Sequence, residues 1–178
     1  ETVKVIADTL FGSRRAFTRI NAQEFASPHQ VAKLLGAPPG YVGNEIEPML
    51  SRRNIDRHHK EAFEQGRGLF RKGTKHYRKL FPEDPDHYLS LILCDEIEKA
   101  DPVLWNTLLG ILDDGHVTLG NNEQVDFTRA ILILTSNVGS AHLAQLGDDP
   151  SADMEKRAHQ YVMEELREQF RPEFLNRL

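Results

Sequence analysis

The run Leu89-Ser-Leu-Ile-Leu-Cys-Asp-Glu-Ile-Glu-Lys-Ala100 constrains this chain more than any other, because an apolar stretch stops abruptly at two adjacent carboxylates, Asp95 and Glu96. A short continuous apolar run bounded by charge reads as a strand buried on both faces. In open α/β sheets, ligands bind in the crevice outside the carboxyl ends of the strands. Two acids at such an end suit nucleotide hydrolysis: one can hold Mg²⁺ through water while the other polarises the water that attacks a γ-phosphate. The same two acids also serve as a solvated, helix-capping pair. The pair alone leaves both readings open.

At 178 residues the chain is long enough for one domain with a real core and short for two. Its apolar and charged contents, 39% and 28%, are those of an ordinary soluble globular protein. No apolar run approaches bilayer length, and the first residues lack a signal-peptide pattern, so no membrane association is expected. The single cysteine, Cys94, has no internal disulfide partner and falls in the predicted buried strand, which points to a reduced thiol and a cytoplasmic home. A net charge of -5 argues against bulk nucleic-acid binding.

Periodicity predicts the remaining elements. Val3, Ile6, Ala7 and Leu10 recur at helical spacing up to a stop at Gly12, and Phe17-Thr-Arg-Ile20 alternates like a short strand. Ser27-Pro28 is an N-cap and N1 pair for a helix to about Leu35, and Gly36-Ala-Pro-Pro-Gly-Tyr-Val-Gly43 must be a loop. A further helix is expected from Asn44, with Ile46, Met49 and Leu50 on one face. The segment from about 52 to 86 is rich in Arg, Lys and His and reads as a basic insertion: a solvated arm or loop in preference to a nucleic-acid or acidic-partner patch. His58 and His59 are adjacent and have no cysteine nearby, which does not suit a zinc site. Asp101-Pro102 opens a helix that Gly115 ends, and 116–125 reads as a hairpin turning at Gly120-Asn121-Asn122. Ile131 to Thr135 is a second buried strand ending in Ser136-Asn137. A polar loop around Gly147-Asp-Asp-Pro150 precedes a long helix to about Phe170. Strands separated by helices imply an α/β fold with a mostly parallel sheet covered on both faces.

With these elements placed, the wording of the chain resembles a known family. Gly36-Ala-Pro-Pro-Gly-Tyr-Val-Gly43, Asp95-Glu-Ile-Glu-Lys-Ala100, Leu112-Asp-Asp-Gly115, Val125-Asp-Phe127, Thr135-Ser-Asn137 with Val138-Gly-Ser140, and Phe170-Arg-Pro-Glu-Phe-Leu-Asn-Arg177 stand in the order found in the second ATPase module of Clp-type AAA+ unfoldases and disaggregases. The resemblance implies a three-layer AAA+ large subdomain belonging to a ring, a hexamer, that threads unfolded polypeptide through a central pore, with ATP and Mg²⁺ as cofactors and a protease or adaptor as a possible partner. By position, Tyr41 is then the aromatic pore-loop residue, flanked by Gly40, Val42 and Gly43. Asp95 matches the Mg²⁺-organising acid and Glu96 the residue that polarises the attacking water. Asn137 matches sensor 1, and Arg177 matches an arginine finger offered to the adjacent subunit.

Two departures accompany the likeness. Nothing in the sequence fits the glycine-rich phosphate loop Gly-x-x-x-x-Gly-Lys-Thr/Ser, and the helix at Glu1 resembles the one that follows that loop. The expectation is therefore a partial large subdomain lacking its first strand and phosphate loop, probing as inactive by itself. The second departure is the basic 52–86 segment after the pore loop. The rival reading of the whole chain is a non-catalytic AAA+ interaction or scaffold module; a nucleic-acid-handling AAA+ protein is a third, against which the Ala-Pro-Pro-Gly-Tyr-Val-Gly loop speaks.

Overall fold

The computed structural model describes residues 1–41, 44–69, 88–140 and 152–178. Strand β2 (Ser90–Asp95) is the middle of a three-stranded parallel sheet, between β1 (Thr18–Asn21) and β5 (Ala130–Leu134). The register sets Ile20 opposite Cys94, Asn21 opposite Asp95, and Ile92 opposite Leu132. Successive side chains of a strand point to opposite faces, and β2 accordingly feeds two cores. Ile92 and Cys94 join Ile20 in the larger one, with Val31 and Leu34 of α2 (Pro28–Leu35) and Leu104, Leu108 and Ile111 of α4 (Pro102–Asp114). Leu91 packs on the other face with Val3, Ala7 and Phe11 of α1 (Thr2–Phe11) and with Ala62. Helices thus cover both faces, as the separation of strands by helices predicts.

The ends of these helices follow local chemistry. Gly12 closes α1 in the left-handed region, φ 69°, donating its N–H to the Asp8 carbonyl. The Asp101 carboxylate accepts the Val103 N–H at 2.8 Å and Pro102 occupies the first turn of α4, which ends at left-handed Gly115. The predicted hairpin is present as β3 (His116–Thr118) paired antiparallel with β4 (Gln124–Asp126). Its tip lies on the end of α2: Gly120 donates to the Leu35 carbonyl at 2.7 Å. A β-carbon at Gly120 would stand 2.5 Å from the Gly36 carbonyl oxygen, so only glycine allows this approach. After α5 (Ala152–Gln169), Phe170 and Phe174 of the segment around α6 (Pro172–Leu175) stack at 5.6 Å, with the Trp105 ring 5.2 Å from Phe170.

Three expectations need correction. No helix starts at Asn44; 44–50 are turns, Ile46 is exposed and Leu50 is buried. Pro48 is incompatible with a helix interior, and the Met49 and Leu50 amides instead satisfy the last-turn carbonyls of Lys33 and Leu34 in α2, at 3.2 and 3.1 Å. The helix begins later, as α3 (Arg52–Glu64), capped by the Ser51 hydroxyl accepting from the Asn54 N–H. Secondly, α3 is no solvated arm: its Ile55, Asp56, His59 and Ala62 are buried. The His59 Nδ1 accepts the Leu89 N–H at 2.8 Å and Ser90 Oγ donates to Asp56, fastening α3 to the start of β2. The remainder of the basic segment, 70–87, lies outside the described residues, as does the polar loop at 147–150. Thirdly, β5 is half-buried rather than buried. It pairs only with β2 among the described strands, leaving Ile131 36% exposed.

Candidate functional site

Asp95 is the last residue of β2, and Thr135 follows β5 directly. The Thr135 N–H extends the ladder to the Cys94 carbonyl at 2.9 Å, which brings its hydroxyl to the acidic pair. That hydroxyl donates to Asp95 Oδ1 at 2.5 Å and accepts the Glu96 N–H at 3.1 Å. From β1, the Arg19 guanidinium reaches Asp95 Oδ2 at 2.5 Å. The Thr135 hydrogen bond, and then the Arg19 hydrogen bond and charge, hold the Asp95 carboxyl below the usual carboxylate range, so it is ionised near neutrality.

Glu96 adopts the left-handed region at φ 57° and ψ 51°, an uncommon conformation for a residue with a β-carbon. Such backbone strain concentrates at functional sites. Here it separates the two acids. Glu96 Oε1 accepts from Asn137 Nδ2 at 2.9 Å, while Oε2 meets Gln23 Nε2 and stands 3.1 Å from Lys99 Nζ. The two carboxylates therefore share no partner among these contacts: that of Asp95 faces Arg19 and Thr135, that of Glu96 faces Asn137, Gln23 and Lys99. Asn137 is fixed at a second point, its N–H donating to Glu98 Oε1 at 3.2 Å.

A cleft of about 460 Å³ opens beside the pair, lined by Glu1, Lys4, Phe17, Arg19, Asp95 and Thr135 among others. This lies within the range of small-ligand sites, about 300–1,000 Å³. Neither Glu96 nor Asn137 is among the residues that line it. Among the described residues no three His, Cys, Asp or Glu side chains are clustered to hold a metal. Asp95 nevertheless suits Mg²⁺, which takes one or two carboxylates and completes its shell with water and phosphate oxygens.

The other predicted site residues lie apart from this centre. Arg177, just beyond α6, pairs with Asp113 near the end of α4 and keeps just over half of its side chain exposed. Tyr41 is 68% exposed, in a turn where its N–H bonds the Pro38 carbonyl, and the preceding Gly40 takes φ 90°. Val42 and Gly43 lie outside the described residues. Sequence reasoning did not single out Arg19, Gln23 or the Thr135 hydroxyl. Arg19 had a readable signal, a charge inside a strand otherwise given to the core. Gln23 had none: nothing local distinguishes it from a surface glutamine.

A parallel sheet between helical layers, with an acidic pair at the end of its middle strand and a polar side chain reaching that pair from the neighbouring strand, is an open α/β domain with its candidate site at the carboxyl ends of the strands. Residues 72–178 match the family model described as AAA domain (Cdc48 subfamily), and the chain belongs to that family. Within it, the chain is similar to the Clp-type chaperones. It is 40% identical over 178 residues to chaperone protein ClpB 1 of Parasynechococcus marenigrum (strain WH8102), and 41% identical to ClpB of Propionibacterium freudenreichii subsp. shermanii. All of the chain is aligned in both, yet it spans only 17% and 16% of the length of these relatives. Among solved structures it is similar to Hsp104 in a closed state with ATPγS and FITC casein (TM-score 0.68, 28% identity, 99% of this chain and 25% of that one). It is likewise similar to the extended Saccharomyces cerevisiae Hsp104:casein complex (TM-score 0.71, 28% identity, 100% and 25%). The expected family and α/β architecture are thus both present.

Proposed function

We propose that this chain is part of the large subdomain of a Clp-like AAA+ module that couples ATP hydrolysis to threading of unfolded polypeptide through a ring. The observation that carries the reading is the divergence of Asp95 and Glu96, which hands two carboxylates from one strand end to two separate sets of partners. Bound ATP would supply the phosphoryl group and Mg²⁺ would make it more electrophilic. Asp95, kept ionised by Thr135 and Arg19, would hold the metal. Glu96 takes the proton of the attacking water, with Asn137 fixing the direction of its carboxylate. Arg177, paired with Asp113 and more than half exposed, is in this reading the arginine finger for a neighbouring subunit. Tyr41, exposed on its turn, is the residue that grips polypeptide. The casein in the Hsp104 structures supports this substrate class. Residues 1–178 form one unit in this reading.

The test uses the full-length protein that carries this chain. Glu96→Gln should lower ATP turnover by about 10²–10⁴, the usual worth of a positioned general base. Arg177→Ala should lower it by about 10³–10⁵, as for an arginine finger supplied in trans, and should be rescued in mixed rings that restore one intact interface. Tyr41→Ala should abolish unfolding of a tagged substrate while turnover continues. Unchanged turnover in Glu96→Gln would instead assign the chain to the non-catalytic interaction class.

A further inference from the structure

Glu98 is the third acid of the Asp95-Glu96-Ile97-Glu98 run and enters the site described so far only as the acceptor of the Asn137 N–H. It sits in the 3₁₀ turn Ile97–Lys99, which the left-handed Glu96 folds back toward the end of β5. Its Oε1 accepts the backbone N–H of Asn137 at 3.2 Å, and its own carbonyl accepts from Gln169 Nε2 of α5 at 3.4 Å. Its second carboxylate oxygen is buried and has no hydrogen-bond partner among the described residues. An unsatisfied buried polar atom is costly. Asn137 is thereby held at two points by two acids of one turn: the side-chain amide by Glu96 and the main chain by Glu98.

We propose that Glu98 is a positioning residue for hydrolysis, setting the place of Asn137 through its main-chain amide and hence the direction of the Glu96 carboxylate. This rests on the reading of the Asp95–Glu96 cleft as an ATP site. Glu98 touches neither nucleotide nor attacking water; it acts through Asn137. Without Glu98 the Asn137 side chain remains but its main-chain N–H loses the anchor that aims it, so Asn137 is free to shift while Thr135 stays tied to the sheet by its N–H to the Cys94 carbonyl. The effect belongs to the catalytic step rather than to nucleotide affinity, because Asp95, Arg19 and Thr135, which line the cleft, have other hydrogen-bond and ion-pair partners than Glu98 among the described residues.

The experiment compares Glu98→Ala, Glu98→Gln, Asn137→Ala and the Glu98→Ala/Asn137→Ala double variant in the full-length protein, reading kcat, KM and equilibrium binding of ATPγS. Glu98→Ala should lower kcat by about 10–100-fold, an expected loss for a misplaced reacting group, with ATPγS affinity within about twofold of the parent. Glu98→Gln keeps an oxygen acceptor for the Asn137 amide and should recover most of the rate. In the Asn137→Ala background, Glu98→Ala should cost less than about threefold, since residues acting as one unit are non-additive. Full additivity in the double variant, or a parallel loss of ATPγS binding, overturns the proposal. So does an unchanged kcat in Glu98→Ala when Asn137→Ala is impaired. If Asn137→Ala itself turns over normally, the reading of the cleft has failed, and the proposal falls with it.

Discussion

Burial of His59 makes the stability of this fold depend on pH in a direction that can be worked out. The ring is buried, its Nδ1 accepts the Leu89 N–H, and desolvation depresses its pKa from the ordinary 6.5 to about 4, the hydrogen bond acting in the opposite sense. As pH falls, the unfolded chain takes up this proton near 6.5, whereas the folded one resists until about 4. The contribution is complete above pH 6.5 and declines on acidification at up to about 1.4 kcal/mol per pH unit, the loss totalling about 3 kcal/mol once pH has passed 4. Asp56 runs the other way: burial raises its carboxyl pKa, so its contribution is present at low pH and is lost as pH rises through the raised value. That term is common to the parent and a His59→Asn variant and cancels in their difference. Asparagine supplies an oxygen for the Leu89 amide but does not titrate. Urea unfolding of both proteins between pH 4.5 and 7.5 should therefore show the advantage of histidine shrinking by about 2–3 kcal/mol on acidification. A difference that stays constant over this range would refute the assignment of His59 as a neutral, buried acceptor.

Other outcomes follow from single contacts. Thr135→Val removes the hydroxyl that donates to Asp95 and accepts from Glu96; ATP turnover of the full-length protein should fall by about 10–100-fold, and the acid limb of its pH–rate profile should move to higher pH as the Asp95 carboxyl loses the first cause of its lowered pKa. Leu104→Ala empties a fully buried position of the larger core and should cost about 2–5 kcal/mol by chemical denaturation. Asp113→Asn unties Arg177, but both side chains are substantially exposed, so the melting temperature should hardly change, the loss being under about 1 kcal/mol.

What could be read from the sequence and what could not divides along physical lines. The β2 strand, the Asp101-Pro102 cap, the Gly12 and Gly115 stops and the 116–126 hairpin were legible because each rests on residues close in the chain. The false helix at Asn44 had suitably spaced apolar residues, but Pro48 and the unfilled carbonyls of Lys33 and Leu34 decide the conformation there, and the latter are tertiary partners. Helix α3 was hidden by composition: its many charges mask Ile55, His59 and Ala62 on one face, and a buried Asp56 defies ordinary patterning. The acids of the candidate site were legible as residues, whereas their separation was not. It depends on one left-handed backbone angle at Glu96 and on side chains 39 to 76 positions distant in sequence, from Thr135 to Arg19.

The loop that displays Tyr41 leaves and re-enters the fold at one place. Gly36 is clamped beneath the hairpin tip at Gly120, and the returning strand of chain is hydrogen-bonded at Met49 and Leu50 to the same final turn of α2. In the gripping role proposed for Tyr41, a pull on it would be divided between these two attachments, both made at the end of α2. A handle so rooted would pass displacement on to the hairpin that lies against that helix end.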